Sequence, residues 1–245
     1  MLVCLLCAAV AAAYVLPGGA ILRRMVNARD ELRLTTLRVD GTVSFYGGGV
    51  KEAASALNLS ADKGETQADA SFYLRVPGRC RVEASTPEGG KLSAVENNGR
   101  KKAEGPALEP LNVALHAVCM LLAARGSSEQ ETRAELDRQL RGLGVDVRAT
   151  GLGRIGDAVA YVLGRTGQPQ FWVFKDVFQP ARLRFSDAQK VAWDVRFLDY
   201  SAPSAGELFP RVIEVSRNGE RLLRFTVLKA DTRVGLADRL FQVTP

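Results

Sequence analysis
Between residues 170 and 228 apolar and polar positions alternate with a period of two, broken by short polar steps. Gln170-Phe-Trp-Val-Phe-Lys175 is a run of aromatic and β-branched residues closed at Lys175-Asp176. In 181–185, Leu183 and Phe185 share one face and Arg182 and Arg184 the other; in 191–200, Trp193, Val195 and Phe197 oppose Asp194 and Arg196. Segments 211–216 and 221–228 follow, separated by Asn218-Gly219, a strong two-residue hairpin signal. Successive strand side chains point to opposite faces, so this alternation predicts an antiparallel meander with one apolar and one wetted surface.

The earlier half has a mixed pattern. Ile21, Leu22, Met25, Val26, Arg29 and Leu32 form one stripe of a helix near 20–34, with the arginine as its charged member. Strands are expected at 37–46, at 68–76 and 79–85 around Pro77-Gly78, and at 91–96 and 99–103 around Asn97-Asn98. Segment 51–60 is compatible with helix or strand. Leu111, Ala114, Leu115, Val118 and Leu122 mark a strongly apolar helix over 111–124 entered through Pro110. Ser127 or Ser128 caps a further helix over 129–143, with Glu131 as the capping-box partner. Strand periodicity returns at 157–163, and 236–241 is a short terminal turn or helix.

The predicted order is therefore a helix, about five strands, two helices and about six strands, and an antiparallel sheet of that size must curl. The expected class is mainly β with helices (α+β): an incomplete antiparallel β-barrel whose concave apolar face is covered by helices. No linker or low-complexity tract divides the chain, so 14–245 reads as a single domain.

At 245 residues with 47% apolar content, the chain can bury a large core. Its formal charge is +6 and its pI about 9.3, but the basic residues are scattered. Arg100-Lys101-Lys102 is the sole run and no basic stripe interleaves with aromatics, which argues against nucleic acid as a partner. Residues 1–16 carry no charge, and Ala11-Ala12-Ala13 offers a small-residue cleavage site. This predicts an exported chain with a signal peptide over 1–13, either cleaved or kept as an anchor. Export would leave Cys80 and Cys119, either as a disulfide or as two independent buried thiols.

Candidate chemistry is sparse. The single histidine, His116, sits in the most apolar helix and reads as a structural residue. It has neither a second histidine nor a close-spaced cysteine cluster to build a common zinc site, so no metal, cofactor or catalytic residue is expected. Gly151-Leu-Gly153-Arg-Ile-Gly156 matches a dinucleotide-binding fingerprint, but the segment after it has strand periodicity and meets Gly164 within eight residues. These glycines are expected to form a loop entering a hairpin.

Several stretches together resemble one known family. A helix like 21–32 precedes Leu37-Arg-Val-Asp-Gly41; Ala160-Tyr-Val-Leu163, Phe171-Trp-Val-Phe-Lys-Asp176 and Pro180-Ala-Arg-Leu-Arg184 follow later. This order resembles the Lol-type (LolA/LolB-like) periplasmic lipoprotein carriers and the wider outer-membrane lipoprotein-sorting superfamily. The resemblance implies a non-catalytic carrier or acceptor that holds lipid or lipoprotein acyl chains in an apolar half-barrel. Its location would be the periplasm or envelope, with outer-membrane anchoring open. Its partners would be acyl chains together with a membrane surface, a membrane transporter or an acceptor. Non-transporting members of the superfamily make an envelope-stress sensor or scaffold the alternative. The implied lining is Phe45, Phe72, Leu74, Trp172, Phe174, Leu183, Phe185, Trp193 and Phe197 from the sheet, faced by Leu115, Val118 and Leu122 from the lid. The same side chains could equally form an ordinary core beneath the helices.

Overall fold
A computed structural model describes residues 15–60, 64–200 and 209–243, so the expected signal segment 1–13 lies outside it. The described strands form one twelve-stranded antiparallel sheet in the order β5-β4-β3-β2-β1-β12-β11-β10-β9-β8-β7-β6. Strands β1 (Thr36–Tyr46) to β5 (Arg100–Glu104) and β6 (Thr150–Ile155) to β12 (Glu220–Asp231) are two meanders, joined where β1 pairs with β12. β5 and β6 end the sheet without meeting, which makes it the incomplete barrel that the alternation predicts. Charged side chains of Arg100, Lys101 and Lys102 lie on β5, the kind of residue that discourages edge-to-edge pairing.

Register explains the apolar face. Leu163, Phe171, Leu183, Val195, Val215, Leu223 and Phe45 are paired neighbour to neighbour across seven strands, and all are fully buried. A second row runs through Phe197, Ile213, Phe225 and Val43. Full burial of such a side chain stabilises by roughly 1.5–3 kcal/mol relative to exposure, so the two rows dominate the core. On the other face the polar positions pair with one another: Arg182 binds Asp194 through two hydrogen bonds, and Arg221 and Arg224 share Glu214. Arg221 and Arg224 are exposed, and pairs of that kind each contribute about 0–1 kcal/mol.

The helices occupy the concave side. α2 (Gly48–Leu57) settles the ambiguous 51–60 segment as helix and stops at Asn58 in the left-handed conformation, φ 53°. α3 (Glu109–Val118) has Pro110 in its first turn and continues as a π-helical segment, Cys119–Ala123, whose side chains are all buried. α4 (Glu129–Gly142) begins at Ser128, whose hydroxyl accepts from the Glu131 amide; the Glu131 carboxylate reaches back to Ser127 rather than to Ser128. α1 (Gly18–Glu31) packs against α4 and buries Ile21, Leu22, Met25, Val26 and Arg29, the stripe that its periodicity predicts.

One turn matches the sequence expectation, while another turn and one loop differ from it. Asn218-Gly219 forms the expected two-residue turn, with φ of 52° and 87°. The 97–100 hairpin turns at Asn98-Gly99, one residue later than expected, because these two residues take the positive φ values (49° and 82°). The glycine-rich 151–156 stretch is not a loop: Thr150–Ile155 is edge strand β6, and the chain turns at Gly156. Gly153 provides a flat seat for Trp172, since a Cβ there would come within 2.5 Å of the indole.

α2 lies so close to β12 that a Cβ on Gly49 would sit 2.4 Å from the Leu222 carbonyl oxygen, a backbone atom that cannot swing away. Gly49→Val is expected to destabilise the protein by about 1–3 kcal/mol through overpacking. Gly19→Ala in α1, with no atom within 4 Å of the added carbon, should leave stability unchanged or raise it by up to about 1 kcal/mol. Urea midpoints of the two variants check this, and equal shifts would refute the close approach.

Candidate functional site
The sequence-expected lining divides into two sets. Phe45, Phe72, Leu74, Leu115, Val118, Leu122, Leu183, Trp193 and Phe197 are buried in one continuous core, sheet residues against helix residues. Phe174 and Phe185 are partly buried and pack against that core. Trp172 does not join it. In β8 (Gln170–Phe174) the fully buried residues are Phe171 and Val173, while Trp172 faces Arg182, whose guanidinium lies 5.5 Å from the indole centroid. This corrects the inward placement of Trp172: a run of four apolar residues satisfies either phase, and the register with β9 (Pro180–Ser186) selects the other one.

An opening to this core lies between α1 and the corner that joins β8 to β9. The cleft has a volume of about 250 Å³ and is lined by Met25, Ala28, Arg29, Glu31, Leu32, Leu122, Val177, Phe178, Gln179, Pro180 and Tyr200. The corner is the Phe-Lys-Asp…Pro-x-Arg-Leu stretch singled out in the sequence, here with a bulge between Trp172 and Val173. Phe178 has φ 52°, a conformation that is strained for a bulky side chain. Its ring is held by stacking on Tyr161, centroids 5.8 Å apart, and by the Arg24 guanidinium 5.3 Å from its centre. Val177 beside it is 48% exposed. Tyr200 closes the inner wall: its hydroxyl donates to the Pro180 carbonyl oxygen at 2.9 Å, and burial pushes its pKa well above the ordinary value.

The charged residues of the cleft wall, Arg29 and Glu31, come from α1, and Arg29 is tied to the π-helical segment beside it. Arg29 Nη1 donates to the Leu121 carbonyl oxygen at 3.0 Å. Arg125 pairs with Asp30 and donates to the Leu122 and Ala124 carbonyls. Burial, reinforced by the neighbouring Arg125 and opposed by Asp30, lowers the Arg29 pKa to about 9; burial lowers that of Arg125 as well. The arginine in an apolar stripe was the sequence signal for this feature. Phe178 and Tyr200 gave none, because each becomes part of the cleft only through contacts distant in sequence.

Other groups are accounted for nearby. Cys80 and Cys119 form a disulfide, Cα–Cα 5.7 Å, that joins β3 (Arg79–Ser85) to the π-helical segment. His116 Nδ1 lies 3.0 Å from the buried Glu96 carboxylate on β4 (Lys91–Asn97), a second tie between lid and sheet. A larger groove of about 500 Å³ runs between the 97–99 turn, the π-helical segment and α4, but its lining includes Glu96, Arg125, Glu131, Glu135 and Arg138 and suits polar contacts. Among the described residues no cluster of metal-ligating side chains occurs, and no helix is long and apolar enough to cross a membrane.

No protein-family model matches the sequence, and no curated protein matches it. Solved structures with a similar architecture exist. A LolA superfamily protein from Nitrosomonas europaea is 12% identical, over 93% of this chain and 98% of that one, with a TM-score of 0.49. A DUF1329 family protein from Desulfovibrio piger is 15% identical over 93% and 98%, TM-score 0.46. An outer membrane lipoprotein-sorting protein domain from Vibrio parahaemolyticus is 9% identical over 90% and 94%, TM-score 0.41. Likeness at this level concerns architecture and carries no argument about what the chain binds.

Proposed function
We propose that this is an exported, non-catalytic protein that takes an acyl chain of a lipid or lipoprotein between its helical cover and the concave face of its sheet. The observation that carries this reading is the cleft beside α1: an apolar-lined opening with an exposed valine at its rim, continuous with a core built from two uninterrupted rows of apolar side chains. The core is packed, so a chain enters by displacing Phe178 and the neighbouring turn of α1 rather than by filling a preformed void. Each methylene withdrawn from water contributes about 0.8 kcal/mol, so even the first part of a chain offsets the loss of one aromatic stacking contact. The disulfide supports export, since such bonds persist in oxidising compartments.

The ties on the lid suggest which side opens. The π-helical segment is fastened to β3 by the disulfide and by the hydrogen bond from the Gly78 amide to the Ala123 carbonyl oxygen. Toward α1, by contrast, the described residues hold it by the bond from Arg29 to Leu121, with the Arg125–Asp30 pair just beyond its end. These ties support entry at the α1 side. Native purification followed by lipid extraction and mass spectrometry should find acyl lipid, and the delipidated protein should take up N-phenyl-1-naphthylamine with a gain in fluorescence. Absence of both lipid and uptake would leave a closed-core sensor or scaffold as the reading.

A further inference from the structure
The core-facing stripe of α1 contains one cation. Arg29 is 9% exposed and forms part of the cleft wall. A guanidinium carries its N–H donors in a rigid fork suited to carboxylate and phosphate oxygens. Here Nη1 is engaged by the Leu121 carbonyl oxygen, whereas Nε and Nη2 have no hydrogen-bond partner. The Asp30 carboxylate stands 3.7 Å from Nε, beyond hydrogen-bonding reach, and is occupied by Arg125. Two guanidiniums thus share one carboxylate, and of the three groups only Arg29 lines the cleft. Glu31, the acid in the lining, is exposed.

We propose that the cleft receives a single-chain anionic amphiphile, with carboxylate or phosphate oxygens bound by Nε and Nη2 of Arg29 and the tail laid along Met25, Leu122, Phe178 and Val177. This rests on the acyl-binding reading and adds the head group and the residue that recognises it. Buried donors left unmatched are costly, and an anionic oxygen entering from the cleft completes the fork. Arg29 remains protonated at neutral pH even with its lowered pKa, and it shares its neighbouring carboxylate, Asp30, with Arg125. Size favours one chain: about 250 Å³ is below the roughly 300–1,000 Å³ of sites that enclose a drug-sized ligand. A head and the beginning of one tail fit; a multi-chain head does not.

The test is displacement of N-phenyl-1-naphthylamine from the purified protein by palmitate, hexadecyl phosphate and methyl palmitate, which share a tail length but differ in head group. The wild type should release the probe to at least one anion at a concentration lower than for the ester by about tenfold or more. The tighter of the two anions identifies a fatty-acid or a phosphate source. Arg29→Met should bring all three within about twofold of one another, and Arg29→Lys should keep part of the preference. Near-UV circular dichroism monitors folding of the variants. Should Arg29→Met not fold, Asp30→Asn, which removes the competing carboxylate, must increase the preference for anions; an unchanged preference overturns the proposal. Equal displacement by all three in the wild type overturns it while leaving acyl binding intact. No displacement by any of them removes both readings.

Discussion

Phe72→Ala is expected to lower the unfolding free energy by about 3–5 kcal/mol, the range for removing a fully buried phenylalanine from a packed core. Phe72 has no exposed surface and is flanked on neighbouring strands by Val39 and Val82. Its ring meets Phe225 edge-on at 4.9 Å and tilts against Phe209 at 5.9 Å, and those two rings lie 6.5 Å from each other. Each such aromatic pair adds about 0.5–1.5 kcal/mol beyond area burial, and alanine forfeits both that involve Phe72. The loss also leaves a dry space under the lid, where a small apolar probe should bind more readily than in the wild type. Trp172→Ala is the contrasting variant. The indole is half-buried against Gly153 and Arg182 on the wetted side, so its removal should cost clearly less than that of Phe72. Urea denaturation of the two variants decides the matter: a loss at Trp172 as large as that at Phe72 would mean that the two faces of β8 have been interchanged.

That contrast also shows where alternation stops being readable. Leu183 and Phe185, or Trp193, Val195 and Phe197, are each separated by charged residues, and one look at the chain tells which side is dry. Phe171-Trp-Val-Phe174 has no polar residue between its members, so its phase depends on the bulge that slides Val173 opposite Pro180, a property of the pairing and not of the run. The glycines of 151–156 matched a phosphate-binding pattern by type and spacing, yet one of them serves to let an indole lie flat on an edge strand. Helix positions were legible from the apolar stripe and the Ser128–Glu131 cap; the passage from α3 into a π-helical turn was not, since no glycine or proline marks it. The cleft was half legible. An arginine amid Ile21, Leu22, Met25 and Val26 announces an unusual environment, but its acceptor at Leu121 lies 92 residues away and Phe178, which lines the same cleft, adopts a backbone conformation that its side chain disfavours.

Removing the staple between lid and sheet should have the other large effect. Cys80 and Cys119 are 39 residues apart, and closing a loop of that length in the unfolded chain corresponds to roughly 4 kcal/mol of stabilisation in the chain-entropy account. The paired substitution Cys80→Ala/Cys119→Ala, or reduction of the wild type, is expected to lower stability by about 3–4 kcal/mol, read from urea midpoints. Its effect on uptake distinguishes the two ends of the lid. The fastened end keeps the Gly78–Ala123 hydrogen bond and the His116–Glu96 contact after the disulfide is gone, and the cleft lies at the other end, where Phe178 and α1 meet. Uptake of N-phenyl-1-naphthylamine by the folded double variant should therefore change by less than about twofold. Phe178→Ala, which removes the stacked cover from the cleft and relieves little buried surface, should accelerate uptake several-fold at a cost of roughly 1 kcal/mol. If loss of the disulfide accelerates uptake and Phe178→Ala does not, the hydrocarbon path runs under the end of the lid beside β3, and the entrance beside α1 is wrong.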